Sequence, residues 1–242
     1  MIDCASRKIV PAYSLCEYVT LSYVCGPSGS GNGLGSLEEG HCLGDDIPRV
    51  MEDAIEVAKQ LGFACLWVDK YCVDQEDEEA KGCVIRSMDG IHAGATLTLI
   101  AAAGDNPHHG LPGVSTTRSR QQESIVIGGV RYVVFRNPKH EVERSSWSSR
   151  AWTYQEGLLS RRRLVFTESQ VYFQCLKTHC WEGLHVFPPL GPNVTFCRVF
   201  PADGIGRDAF EIVYRLHEYA PRKLPYDTDI LNAVLDGTAS SR

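Results

Sequence analysis

The stretch Phe63-Ala-Cys-Leu-Trp-Val-Asp-Lys-Tyr-Cys-Val-Asp-Gln75 constrains the chain more than any other. It begins as a continuous apolar run, the pattern of a strand buried on both faces, and then turns polar abruptly. That change places Asp69, Asp74 and Gln75 at or just past the strand's carboxyl end. Ligands bind there in open α/β sheets, because strand ends and helix N-termini converge on one crevice. The preceding segment, Asp46 to Gly62, reads as an amphipathic helix. Pro48 suits its first turn, Asp45 or Asp46 caps the free amides, and Gly62 stops it. Val50, Ala54, Val57, Ala58 and Leu61 make one apolar face. Helix, glycine, buried strand and acidic loop together predict an α/β domain.

Other segments extend the pattern. Tyr18 to Cys25, rich in β-branched and aromatic residues, predicts a first strand, and Thr96 to Ala103 another buried one. Between them Asp77 to His92 reads as a second helix, with Ala80, Val84, Met88 and Ile91 on one face and Gly82 weakening it. A long loop follows from Gly104 to Gly113. Ser124 to Phe135 predicts a hairpin turning at Gly128-Gly129, an insertion rather than part of a βαβ repeat. Trp147 to Leu159 carries a helix, and Arg163 to Cys175 a pair of strands turning at Glu168-Ser169. Thr178 to Asp208 is rich in Pro and Gly and reads as mostly irregular, followed by helices over Asp208 to Tyr219 and Thr228 to Leu235. The expected architecture is α/β: a mainly parallel sheet flanked by helices, flavodoxin-like in its first half. To this are added a β-hairpin insertion and an irregular to helical C-terminal part. Residues 1–242 are read as a single domain, with a core over about 14–178 and an extension over 179–242.

Composition excludes several classes. A net charge of −6 does not suit nonspecific polyanion binding, so no nucleic-acid partner is expected. No apolar run approaches the roughly 20 residues needed to span a bilayer, and the N-terminus lacks the apolar core of a signal peptide. The 10 cysteines include no Cys-x-x-Cys pair, and Cys25, Cys65 and Cys175 lie in apolar runs, which predicts a reduced, cytoplasmic protein without disulfides. Arg161-Arg162-Arg163 reads as a solvated helix end. The glycines at 29, 31 and 33 do not have phosphate-loop spacing and predict a flexible loop. His179, Cys180 and His185 lie near Cys175, but the spacing fits no zinc pattern, and Cys72 has no identifiable histidine partner for thiol catalysis. No cofactor or metal is expected.

Four segments in order resemble the fungal HET (heterokaryon incompatibility) domain. They are Tyr18-Val-Thr-Leu-Ser-Tyr-Val-Cys-Gly26, Leu66-Trp-Val-Asp-Lys-Tyr-Cys-Val-Asp-Gln75, Gly110-Leu-Pro-Gly113 and Arg150-Ala-Trp-Thr-Tyr-Gln-Glu-Gly-Leu-Leu-Ser160. Tyr219 to Asp229 adds a further similarity. The chain departs from the family at Cys25, where the family has tryptophan, and at His92, where it has tyrosine. The resemblance implies self/non-self recognition and programmed cell death in filamentous fungi, a form of innate immunity. It implies self-association and a recognition partner of the NLR type. It also implies a distant similarity to TIR domains, several of which cleave NAD, and aligns Glu156 with the glutamate of TIR hydrolases.

That alignment makes Glu156 the candidate catalytic group, with NAD as a possible substrate rather than a cofactor. Breaking a nicotinamide–ribose bond develops oxocarbenium character, which a carboxylate beside the ribose stabilises. Trp152, one turn earlier on the same helix face, either packs in the core or stacks on a ring. Asp69 and Asp74 either bind ribose hydroxyls or order Glu156; alternatively Asp74 caps the second helix and Asp69 ties down a loop. Arg150 pairs with a phosphate or with Glu156 itself. Gln75, Ser22 and Tyr23 complete the candidate substrate contacts. The alternative is a non-catalytic signalling and self-assembly module in which the same polar residues serve the fold.

Overall fold

A computed structural model of the protein describes residues 1–12, 16–26, 39–44, 46–118, 123–134, 136–182, 196–202, 204–206 and 208–224. In chain order the first elements are β1 (Ile2–Asp3), β2 (Lys8–Ile9), β3 (Tyr18–Ser22), α1 (Arg49–Gln60), β4 (Cys65–Trp67), α2 (Asp69–Cys72), α3 (Glu78–Arg86), α4 (Met88–Gly94) and β5 (Leu97–Ala101). Then come β6 (Ser124–Ile127), β7 (Val130–Val133), α5 (Pro138–Glu143), α6 (Ala151–Leu159), β8 (Arg162–Phe166), β9 (Val171–Cys175), β10 (His179–Trp181) and α7 (Ala209–Tyr219).

The buried apolar strands pair as their composition predicts. Among the described residues, an 8-stranded sheet runs β10-β9-β8-β5-β3-β4-β1-β2. β8, β5, β3 and β4 are mutually parallel, and the flanking strands are antiparallel. Counted along the chain, the parallel strands take the 2-1-3-4 order of a doubly wound, flavodoxin-like sheet. Right-handed crossovers put α1 on one face and α4 with α6 on the other, and α4 and α6 do pack together. Strand alternation then divides the side chains. Val19 and Leu21 join Val50, Met51, Ala54 and Ile55 in the main core. Thr20 and Thr98, buried on the opposite face, bond each other at 2.8 Å; Thr98 also bonds Ser160 at 2.6 Å, and Thr20 faces His92 Nδ1 at 3.3 Å. Burial lowers the His92 pKa to about 4, so this imidazole is neutral and serves as a packed polar link.

Several expectations change in detail. Leu61 is exposed, while Met51, Asp53 and Ile55 are buried, so α1 turns a wider arc inward than the single stripe predicted. Asp53 earns its burial as an acceptor for the Leu111 amide and the Ser115 hydroxyl, at 2.6 and 2.9 Å. Pro48 is the N-cap of α1 and no side chain caps it; Asp46 does not, and Asp45 lies outside the described residues. The helix expected over 77–92 breaks at Ser87, whose hydroxyl bonds back to the Cys83 carbonyl at 2.9 Å. Asp77, not Asp74, caps its first turn. The region expected to be irregular from Thr178 contains β10. The two-residue strands β1 and β2 and the short α5 carry too little periodicity to read from sequence. The glycine loop beyond Gly26 and the helix expected over Thr228 to Leu235 lie outside the described residues.

The hairpin forms as expected. Gly128 and Gly129 take φ of 59° and 80°, the pair of left-handed residues that a type I′ turn requires. Arg163 corrects the reading of the basic run. It is 0% exposed on β8 and donates to the carbonyls of Gly157 and Leu158, so it satisfies the end of α6 from inside the protein.

Candidate functional site

The carboxyl ends of β3 and β4 open into a pocket of about 350 Å³. Three segments meet there because the parallel sheet aligns their strand ends and α6 crosses above them. From β3 and the residues just past it come Leu21, Tyr23 and Cys25; from α2 and the turn after it come Asp69, Val73 and Gln75; from α6 and its N-cap come Trp152, Glu156 and Arg150. Six of the eight sequence-derived candidates therefore share one cavity: Tyr23, Asp69, Gln75, Arg150, Trp152 and Glu156. α3 and α4 supply the far wall through Lys81, Val84, Ile85 and Met88, which sequence reading did not assign to the site. Their helical pattern marked Val84 and Met88 only as buried; nothing in it distinguished a core wall from a pocket wall.

The other two candidates have different positions. Ser22 is only 1% exposed and lies behind the wall, where it hydrogen-bonds the Glu156 side chain and accepts the Trp147 indole N–H at 2.7 Å. It positions Glu156 rather than meeting a ligand. Asp74 does not line the pocket: its carboxylate accepts the amides of Glu76 and Asp77, which holds the turn into α3. Trp147, missed as a site residue, braces this arrangement through a contact 125 positions away in sequence, for which no local signal exists.

Electrostatics distinguish Glu156. It is recessed but still partly exposed through the pocket. Desolvation first, and the Asp69 charge second, push its pKa up to about 7, against the opposing effects of the Ser22 hydroxyl and the Arg150 charge. Asp69 is likewise held above the usual carboxylate range by burial, although the Lys70 amide and Arg150 favour its charge. Arg150 Nη1 donates to the Tyr23 carbonyl at 3.3 Å, which anchors the guanidinium at the pocket wall. Beside it Cys25 and Tyr23 are both pushed toward their neutral forms, chiefly by burial. Burial also raises the Cys72 thiol, the opposite of what a thiolate nucleophile requires. Two recessed carboxylates, two cations (Arg150 and Lys81) and an indole around a cavity can hold a polar, sugar-bearing ligand and stabilise positive charge that develops on it.

Among the described residues no group of three or more His, Cys, Asp or Glu side chains converges to hold a metal, and His185 lies outside them. No described helix is long and apolar enough to cross a membrane.

Residues 18–156 match the family model described as "Heterokaryon incompatibility protein (HET)", a match that spans more than half of the 242 residues and takes in every side chain lining the pocket. No curated protein and no solved structure matches the chain.

Proposed function

This chain belongs to the heterokaryon incompatibility (HET) family, and we propose that its pocket cleaves the N-glycosidic bond of NAD-type nucleotides as the effector step of a cell-death response. The observation that carries this reading is Glu156: a recessed carboxyl with pKa about 7, beside Asp69 and braced by Ser22. Perturbed carboxyls of this kind cluster where chemistry is done. An N-glycosyl pyridinium is cationic, so its arrival opposes the burial and, second, the Asp69 charge that raise Glu156, and favours the carboxylate where it is needed. Departure of neutral nicotinamide then leaves the positive charge on the ribose, where Glu156 stabilises it at close range until water adds to the anomeric carbon and gives up a proton to solvent. Asp69 and Gln75 suit the ribose hydroxyls, Arg150 suits a phosphate, and Trp152 provides a ring face. Self-association, a recognition partner of the NLR type and action in the fungal cytoplasm complete the proposal.

The test is NAD turnover by the purified chain, alone and with forced oligomerisation, beside Glu156→Gln. Glu156→Gln is expected to reduce cleavage at least about 100-fold while leaving the fold intact. Intact NAD in every state, with full cell-killing activity retained by the variant, would overturn the enzymatic reading. A non-catalytic assembly module is the second reading, and the exposed apolar hairpin favours it: Ile125, Val126, Ile127, Val130 and Tyr132 all face solvent.

A further inference from the structure

On the side of α6 away from the pocket lies a second cavity, of about 360 Å³, enclosed by α5, α6, α7 and the segment around Arg198. Its charged lining comprises four cations (Lys139, Arg198, Arg215, Arg222) and two anions (Glu143, Glu218), a balance of +2. The two anions are already engaged. Lys139 Nζ lies 3.7 Å from Glu143, while Glu218 accepts from Arg215 Nη1 at 2.5 Å and from the Tyr154 hydroxyl at 2.8 Å. Arg222 sits over the Tyr154 ring and donates to the carbonyls of Ser148 and Glu218.

Arg198 has no such engagement. It is 7% exposed, and among the described residues none of Nε, Nη1 and Nη2 has a hydrogen-bond acceptor. Fully buried Arg163 lies close enough for the two like charges to act on each other, and its Nη1 also lacks an acceptor. Desolvation, with Arg198 contributing, lowers Arg163 to about 10. Among the described residues no carboxylate pairs with Arg163 or Arg198. A buried guanidinium without a counter-charge is among the most unfavourable arrangements a fold can retain, and an oxyanion relieves it.

We propose that this second cavity binds a phosphate-bearing small molecule, with its phosphate on Arg198. Three unsatisfied donor nitrogens on one planar fork match the oxygens of a phosphate, which accepts bidentate guanidinium bonds. The aromatic walls, Trp147 and Tyr154, accommodate an organic group carried by that phosphate. Arg198 forms part of the wall, but its three nitrogens are sealed from solvent, so binding requires the guanidinium to rotate into the cavity as the ligand enters. No residue lines both cavities, although Trp147, a wall of this one, also supports Ser22 behind the first.

The experiment measures the melting temperature of the purified chain in inorganic phosphate, AMP and adenosine, each against chloride at matched ionic strength. Phosphate is expected to raise Tm by about 2–5 °C at saturating concentration. Arg198→Met is expected to remove that response and, without phosphate, to melt at or above the wild-type temperature, because it deletes an unpaired charge. Arg150→Met, which removes the phosphate contact assigned to the first pocket, keeps the response, and this separates the two sites. AMP acting at lower concentration than phosphate, with adenosine silent, identifies an organic phosphate; equal or weaker AMP action identifies the free anion. Absence of stabilisation beyond chloride would overturn the proposal, as would an undiminished response in Arg198→Met. If Arg198→Met does not fold, calorimetric titration of Arg150→Met with phosphate decides: measurable heat at one site per chain supports the proposal, and none sinks it.

Discussion

Glu156 shows how a single side chain carries both a functional expectation and a stability cost. Its folded pKa of about 7 lies above the ordinary 4.5, so the native state favours the protonated form. The stability from that preference is fully present below pH 4.5 and is lost as pH rises through 7. Converted at 1.36 kcal/mol per unit, the loss is at most about 3 kcal/mol, reduced by the water the pocket admits. Asp69, also raised, adds to the same trend. Chemical denaturation at pH 5 and pH 8 should therefore show a decline in the wild type that Glu156→Gln largely removes. His92 acts in the opposite direction and at lower pH. Its folded pKa is depressed from 6.5 to about 4, so its contribution is complete above 6.5 and is lost as pH falls through 4. That acid limb should persist in the Glu156 variant. At this scale the chemical identity of the site was legible: Glu156, Asp69, Gln75 and Arg150 stand in motif-bearing segments next to strand or helix ends. The support of Ser22 and Trp147 was not, because a hydrogen bond spanning 125 positions leaves no periodic trace.

Among the elements, α6 bears the greatest functional constraint. One edge presents Trp152 and Glu156 to the first pocket, and another presents Tyr154 and Leu158 to the second cavity. Gly157 sits between, and a Cβ placed there would lie 2.8 Å from Phe200 and 2.9 Å from a Trp147 ring carbon. Helix propensity alone predicts that Gly157→Ala gains roughly 1 kcal/mol. Overpacking a closed interface costs about 1–3 kcal/mol, and here it falls on Trp147, the brace for Ser22. The steric effect wins, so Gly157→Ala should lower stability by about 1–2 kcal/mol in urea denaturation. It should also weaken any activity that depends on Glu156 more than its effect on folding explains. In sequence this glycine is only a weak spot in a helix; its role as a contact surface depends on what arrives from residues 147 and 200.

Across the whole molecule, the fold buries its parallel sheet on both faces, yet among the described residues the β6 and β7 strands pair only with each other, with apolar residues open to solvent. Such a two-stranded edge contributes little to stability and offers a template for association. Val126→Lys should leave Tm unchanged, within the equivalent of about 0.5 kcal/mol. In sedimentation experiments it should shift any self-association toward monomer, and an unaltered distribution would remove the hairpin from the assembly reading. What the sequence by itself determined is the α/β class, the parallel strands, the hairpin and the family, since apolar runs, turn glycines and motif order are local along the chain. Only the tertiary structure decided which polar residues share a cavity. It set Ser22 behind the wall, took Asp74 out of the pocket and buried Arg163 and Arg198 without a carboxylate partner among the described residues. The reason is physical: desolvation and charge proximity are properties of three-dimensional packing, and the residues that impose them on one another lie tens to more than a hundred positions apart.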